Sequence, residues 1–291
     1  MHKYLTAIGF GNIDSKKKLH KILTEVEETF SYHELIQAEE DLDYCEFQKE
    51  YGPGLGVSVF GEMDLEENFQ KQYYFPYFIG TGVTSYADVI VEKRIDRDAY
   101  VGICDDVKIG INLMFHLQNT IEYMREHQLN PAGIKYTSVT LAALCNAGMI
   151  LLPVMKNEEQ EKKQKQEVHN RMMLMSAAKE GDQLAMESLT LDDIDTYSKV
   201  SQRLITEDVF SIVDTYIMPY GIECDRYSIL GTIMSLQKVE NELSGEELYI
   251  MRLEVNELQF DLCVPVKRVM GEPAVGRRFK GNVWMQGMIN F

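Results

Sequence analysis

The stretch from Ile222 to Phe291 constrains the fold most, because its apolar residues are of the β-forming type and turn signals recur every few residues. Candidate strands are Tyr227–Val239, Leu248–Val255, Phe260–Pro265 and Lys280–Phe291. Turns are expected at Asn241–Gly245, Asn256–Glu257 and Gly271–Gly276. Four or five short strands so closely spaced predict a small β-barrel, OB-like or SH3-like, and the strand count does not separate the two.

The residues before it alternate between helix and strand patterns. Asp14-Ser15 is placed to cap a helix whose apolar face is Leu19, Ile22, Leu23, Val26 and Phe30. Ser31-x-x-Glu34 has the form of a capping box and predicts a second helix. From 47 to 120 the chain is rich in Tyr, Phe, Val and Ile, and apolar residues recur at every second position from Ile109 to Leu117, the period of a strand. A short helix is expected near Ile121 to His127. These signals predict an α+β domain over 1–155, an antiparallel sheet with helices on one face. Residues 156–170 (KNEEQEKKQKQEVHN) have almost no apolar content and open a charged helical connector over 156–221, as a solvated helix or as a flexible linker. Helical patterns resume over 172–179 and 184–189, broken at Gly181-Asp182, and Thr190-x-x-Asp193 opens a further helix. The barrel then occupies 222–291.

Charge narrows the function classes. The chain has 291 residues and a formal net charge of −17. Phosphate binding along a nucleic acid needs an excess of Lys and Arg on one face, so a general nucleic-acid partner is disfavoured. Five dispersed cysteines without a C-x-x-C pair, and an N-terminal MHKYLTAIGFGN unlike a secretory signal, lead us to expect free thiols and a cytoplasmic location. The uncharged run YTSVTLAALCNAGMILLPVM approaches the length of a membrane span, but its polar residues and Pro153 dilute it. It is read as two buried strands joined by a turn at Asn146-Ala147-Gly148, with no membrane partner.

Catalytic signatures fail one by one. Gly80-x-Gly82 and Gly52-Pro53-Gly54-Leu55-Gly56 lack the third glycine of a dinucleotide fingerprint, and there is no G-K-[ST]. His33-Glu34-Leu35-Ile36-Gln37 has Gln37 where a zinc helix needs its second histidine. Asp41-x-Asp43 and Asp96-x-Asp98 lack the later glycine and glutamate of a calcium loop. No catalytic residue, metal site or cofactor is therefore expected.

Two stretches are candidates for binding. Arg277, Arg278 and Lys280 stand near Trp284, the only tryptophan, and Arg with an indole suits a small anionic ligand. The competing reading is structural: Gly276 and Gly281 serve turns, Phe279 and Trp284 fill the core, and the arginines pair with surface acids such as Glu272. The aromatic stretch Tyr73-Tyr74-Phe75-Pro76-Tyr77-Phe78, beside a glycine turn, is suited to lining a pocket. The same rings suit an edge strand dividing them between core and a subunit interface, in line with Pro76.

The run SAAKEGDQLAMESLTLDDIDTYSKVSQRLITEDVFSIVDTYIMPYGIECDRYSILG, together with GEPAVGRRFKGNVWMQGMINF, YYFPYFIGTG and CDDVKIGINLMFHLQN, resembles a bacterial domain-of-unknown-function family of about this length. The resemblance spans essentially the whole chain. It implies a cytoplasmic bacterial protein acting as one unit and brings no ligand or catalytic residue. The function expected is a non-enzymatic binding or regulatory module that contacts a protein partner or a small anionic ligand. The alternatives are an enzyme whose site assembles only in three dimensions, and a structural homo-oligomer.

Overall fold

The computed structural model describes residues 2–39, 42–94, 99–106, 111–130, 138–154, 158–203 and 208–291. A 3₁₀ turn (Lys3–Ile8) precedes α1 (Lys16–Glu28) and an antiparallel run of four strands: β1 (Tyr32–Glu39), β2 (Leu42–Gly52), β3 (Leu55–Asp64) and β4 (Phe69–Phe78). Then come β5 (Val89–Lys93), β6 (Tyr100–Cys104), β7 (Leu113–Leu117), α2 (Thr120–Leu129) and β8 (Ser138–Leu151). A helical segment follows, with α3 (Glu158–Lys179), α4 (Gln183–Arg203) and α5 (Val209–Ile212). The chain finishes with β9 (Tyr216–Pro219), β10 (Arg226–Glu240), β11 (Glu247–Val255), β12 (Leu258–Pro265), β13 (Val269–Met270) and β14 (Arg278–Asn290). The α+β class is as expected, and the four long C-terminal strands lie where the periodicity puts them.

The barrel draws on more of the chain than 222–291. Strands β8, β12, β11, β10 and β14 follow one another around it, and β14 pairs back onto β8 to close it. Strands on both sides of the helical segment thus share one sheet. Inside the barrel, Val139, Leu141, Ala143 and Cys145 of β8 meet Ile229, Leu253, Phe260, Phe279, Val283 and Met285. The alternate residues Ala142 and Leu144 point outward, yet they too are buried, against the 3₁₀ turn and the four-stranded sheet, together with Cys263 and Trp284. Burial on both faces explains the apolar stretch Val139–Cys145, since a strand covered on both sides reads as continuously apolar. Among the described residues no helix is long and apolar enough to cross a membrane.

Three local expectations are corrected. Residues 138–151 form one strand, not two: β8 has one more residue than β14 between Gly148↔Gly281 and Cys145↔Val283, so Asn146 and Ala147 form a bulge rather than a turn. Ser31-x-x-Glu34 does not cap a helix. Residues 32–39 pair with β2, and the Ser31 hydroxyl accepts from the Glu50 backbone N–H at 3.1 Å. Thr190-x-x-Asp193 lies inside the continuous α4, and the Thr190 hydroxyl bonds back to the Met186 carbonyl at 2.8 Å. Other signals hold. Ser15 caps α1 by accepting from Lys18 N–H at 3.3 Å, and Gly181, with φ of 94°, turns α3 into α4. In the alternating 109–117 stretch, Leu113, Phe115 and Leu117 point into the barrel core, while 109 and 110 lie outside the described residues.

The four-stranded sheet is covered on both faces. On one, Ile22, Leu23 and Val26 of α1 pack in a cluster with Cys45, Phe47, Val57 and Val59. On the other, Ile121 of α2 packs on Ile36 and Phe60. β4 is an edge strand, in keeping with Pro76, and the barrel caps its free edge with side-chain amides. Gln286 of β14, fully buried, donates from Nε2 to Pro76 O at 2.8 Å and accepts at Oε1 from Phe78 N–H at 3.1 Å. Gln118 donates from Nε2 to the same Gln286 oxygen (3.0 Å) and to Phe78 O (2.9 Å). Replacing Gln286 with leucine keeps the volume but strands these buried groups. The expected loss is about 3 kcal/mol, lowering the thermal midpoint in calorimetry by roughly 5–10 °C. An unchanged midpoint would show that the amides do not hold the two sheets together.

Candidate binding clefts

The basic residues near the C-terminus are engaged with groups of the protein itself. Arg278 is 5% exposed, and its guanidinium donates to three backbone carbonyls: Leu152 O (2.9 Å), Val213 O (2.7 Å) and Phe210 O (2.7 Å). It fastens the end of β8 and the α5 segment to the barrel. Arg277 donates to Glu272 O at 2.6 Å across an exposed turn. The Lys280 ammonium lies 4.4 Å from the centroid of the Phe210 ring and lines a shallow groove with Ser228 and Asn282. Trp284 is buried elsewhere, against the 3₁₀ turn. Arg278 and Lys280 thus both meet Phe210, whereas Trp284 belongs to the outer core cluster.

A cleft of about 430 Å³ opens instead between the four-stranded sheet and the start of α2. Strand alternation builds its floor. Glu46, Gln48 and Glu50 lie on one face of β2, with Tyr32 and Glu34 opposite them on β1 (Tyr32↔Gln48, Glu34↔Glu46). On β4, Phe75 and Tyr77 sit across from Ser58 and Gly56 of β3. The far wall carries Gln118, Asn119 and Glu122, with Met288 of β14. Gly56 is required here, because a Cβ at that position would overlap both the Tyr77 ring and the Lys49 carbonyl.

The lining is acidic and aromatic. Glu34, Glu50 and Glu122 contribute carboxylates, Tyr32, Phe75 and Tyr77 contribute rings, and none of the lining residues is Lys or Arg. Just outside, Arg125 reaches Glu34 at 3.3 Å. The Glu122 carboxylate accepts from Asn119 Nδ2 at 2.8 Å. Gln118 is 5% exposed and its Oε1 has no hydrogen-bond partner among the described residues. Its orientation is fixed, because turning the amide would face its oxygen toward the acceptors Phe78 O and Gln286 Oε1. The wall thus holds a buried acceptor in want of a donor. Below the floor, Glu46 accepts from Ser58 Oγ at 2.5 Å and Gln48 Nε2 at 3.0 Å. Burial raises its carboxyl from 4.5 to about 7, against the lowering effect of those two donors, and the Glu34 charge adds to the rise.

The aromatic stretch therefore does line a pocket through Phe75 and Tyr77, while Phe78 packs in the core. Sequence reasoning passed over Glu46, Gln48 and Glu50. The available signal was a polar residue at every second position of a strand whose other face carries Cys45, Phe47 and Tyr51.

Next to the indole is a smaller pocket, about 210 Å³, between the 3₁₀ turn and the residues entering β10. The Trp284 ring lies 4.6 Å from the His2 ring and 5.6 Å from Tyr4, centroid to centroid. Its Nε1–H donates to Asp225 Oδ2 at 2.9 Å, which also pairs with Arg94 at 3.3 Å. Arg226 pairs with Glu223 at 2.5 Å and lies 5.8 Å from the Tyr4 ring centroid.

Glu46 gives the cleft a pH signature. Between its ordinary value of 4.5 and the raised value of about 7, the folded protein holds a proton that the unfolded chain has released. Stability contributed by Glu46 is full below that window and is lost as pH rises through it. The Glu46→Gln variant, neutral at every pH, is expected to lose this component: its thermal midpoint relative to wild type rises between pH 5 and 8, by the equivalent of ~2–3 kcal/mol. Parallel pH profiles of the two proteins would exclude a buried, proton-holding Glu46.

A family model described as "Domain of unknown function, E. rectale Gene description (DUF3881)" matches residues 5–287, a span that runs through both sheets and the helical segment. Comparisons with the curated proteins and with the solved structures gave no match. The chain belongs to this family of domains of unknown function.

Proposed function

We propose that the protein is a binding module for a small organic cation, an amine or polyamine, taken up in the cleft between the four-stranded sheet and α2. One observation carries the reading: the lining sets Glu50 and Glu122, with Glu34 held by Arg125 at the rim, around Tyr32, Phe75 and Tyr77 and includes no Lys or Arg. Ammonium groups are matched by carboxylates for charge and by ring faces for cation–π attraction. The unpartnered Gln118 Oε1 adds an acceptor, which suits a ligand that donates. The cleft volume falls within the range of small-molecule sites. The reading replaces the small anionic ligand expected beside Arg277 and Arg278 with one of opposite charge at another place.

Titration calorimetry with putrescine and spermidine tests it. Saturable binding is expected at low salt, weakening as salt rises past about 0.1 M, where charges are screened over roughly 10 Å. Glu50→Gln and Glu122→Gln should each weaken binding about fivefold, the effect of roughly 1 kcal/mol per lost charge. A control pair on the helical segment, Glu180→Gln with Glu187→Gln, removes as much charge far from the cleft and should leave binding unchanged. Equal losses in both pairs would reduce the effect to the general attraction of an acidic surface, and no amine binding at all would end the proposal.

A further inference from the structure

We propose that the pocket beside Trp284 is a second, independent site, built for a small zwitterion of the α-amino-acid class. Its central group is Asp225, 2% exposed. One carboxylate oxygen, Oδ2, receives both Trp284 Nε1–H and Arg94. The other, Oδ1, has no hydrogen-bond partner among the described residues. A buried carboxylate oxygen is a strong acceptor, and leaving it unpaired is costly. A ligand ammonium supplies the missing donor to Oδ1, beside the charge that Arg94 already gives Oδ2.

The same pocket presents the complementary pole. Arg226 uses Nη2 on Glu223, whereas its Nε–H has no acceptor among the described residues. An arginine edge with a free N–H is suited to a carboxylate, and Lys3 stands at the same opening. Two acidic residues, Glu223 and Asp225, and two basic ones, Lys3 and Arg226, line the pocket, so it favours neither a lone anion nor a lone cation. A ligand carrying an ammonium and a carboxylate on one carbon offers a donor to Asp225 Oδ1 and an acceptor to Arg226 Nε–H. The Tyr4 and Trp284 rings pack 5.6 Å apart with an interplanar angle of 28°, giving a rigid apolar wall against which an ammonium or a short side chain can rest. The volume, about 210 Å³, restricts the ligand to small members of the class.

The site carries its own reporter, because Trp284 is the only tryptophan in the chain. Intrinsic fluorescence of the full-length protein is followed while glycine, L-alanine or L-serine is added, with methylamine and acetate as single-charge controls. A saturable change with at least one amino acid, not reproduced by either control, is expected. Arg226→Gln, at a partly exposed position, should weaken it about tenfold, the loss of one charge-assisted hydrogen bond. Asp225→Asn should abolish it, but this group is buried, so its result counts only where the thermal melt shows a folded protein, and Arg226→Gln carries the test otherwise. The Glu50→Gln/Glu122→Gln pair, altered in the other cleft, should respond as wild type. Failure to respond to any of the three amino acids would mean that ordered water alone serves Asp225. An equal response to acetate or methylamine, or an Arg226→Gln protein that binds as wild type, would likewise overturn the proposal. Loss of the response in the Glu50/Glu122 pair would assign it to the larger cleft instead.

Discussion

The buried amide of Gln286 is the interaction on which the arrangement of the two sheets depends. An edge strand leaves N–H and C=O groups exposed along one side, and a second sheet cannot be packed against that side unless each group finds a partner. Gln286 resolves this for β4 with one side chain, giving a donor to Pro76 and an acceptor to Phe78, while Gln118 fills the remaining carbonyl. Pro76 lowers the demand, since it has no N–H to satisfy. The barrel can then lie directly against the sheet, and the wall of the cleft is made of the same residues that fasten it: Gln118 is both a member of the clamp and a lining group.

A second constraint follows from having two cores on one barrel. Strands β8, β12 and β14 must be apolar on the face that looks into the barrel and again on the face that looks at the 3₁₀ turn and α1. Val283 and Met285 belong to the inner cluster, and Trp284 between them belongs to the outer one. Along Val139–Cys145 and Val283–Met285 such strands have no solvated side to carry charge, and the one acid on β12, Asp261, is tied to Thr81 and Arg252. The single tryptophan in the chain is placed at the seam, and its N–H must be satisfied there. Asp225 does so, which in turn brings Arg94 to the carboxylate.

Legibility from the sequence divides along the same line. The C-terminal strands were readable because their alternation is local and turns such as Asn256-Glu257 and Gly271–Gly276 interrupt it. The edge position of β4 was readable from Pro76 for the same reason. The identity of the fifth barrel strand was not, because β8 is joined to its partners only by pairings such as Trp284↔Leu144, across a long helical segment. Ser31-x-x-Glu34 misled because a capping box and a strand entry use the same two residue types, and only the neighbouring β2 decides between them. The clamp left no pattern at all: Gln118 and Gln286 are isolated amides 168 residues apart. The row Glu46, Gln48, Glu50 lay in plain view, but a polar alternation on a strand reads as solvated until α2 is known to cover it.

Two of the buried acids, Glu46 and Asp225, show how an acidic chain accommodates carboxylates away from water. Each must lose its charge or find compensation, since an isolated buried anion is prohibitively unfavourable. Asp225 is compensated by Arg94 and by the indole N–H, and stays fixed at the seam between cores. Glu46 has only the neutral donors Ser58 and Gln48, with Glu34 across the strand pair adding repulsion, so for this group the proton is the cheaper remedy. That difference separates their chemistry. A carboxyl that titrates near neutrality under an acidic floor makes the charge of the larger cleft respond to pH, whereas an ion-paired carboxylate with one oxygen left over is a fixed acceptor. The first suits a cleft whose ligand is held by net charge, and the second suits a pocket whose ligand is held by direction.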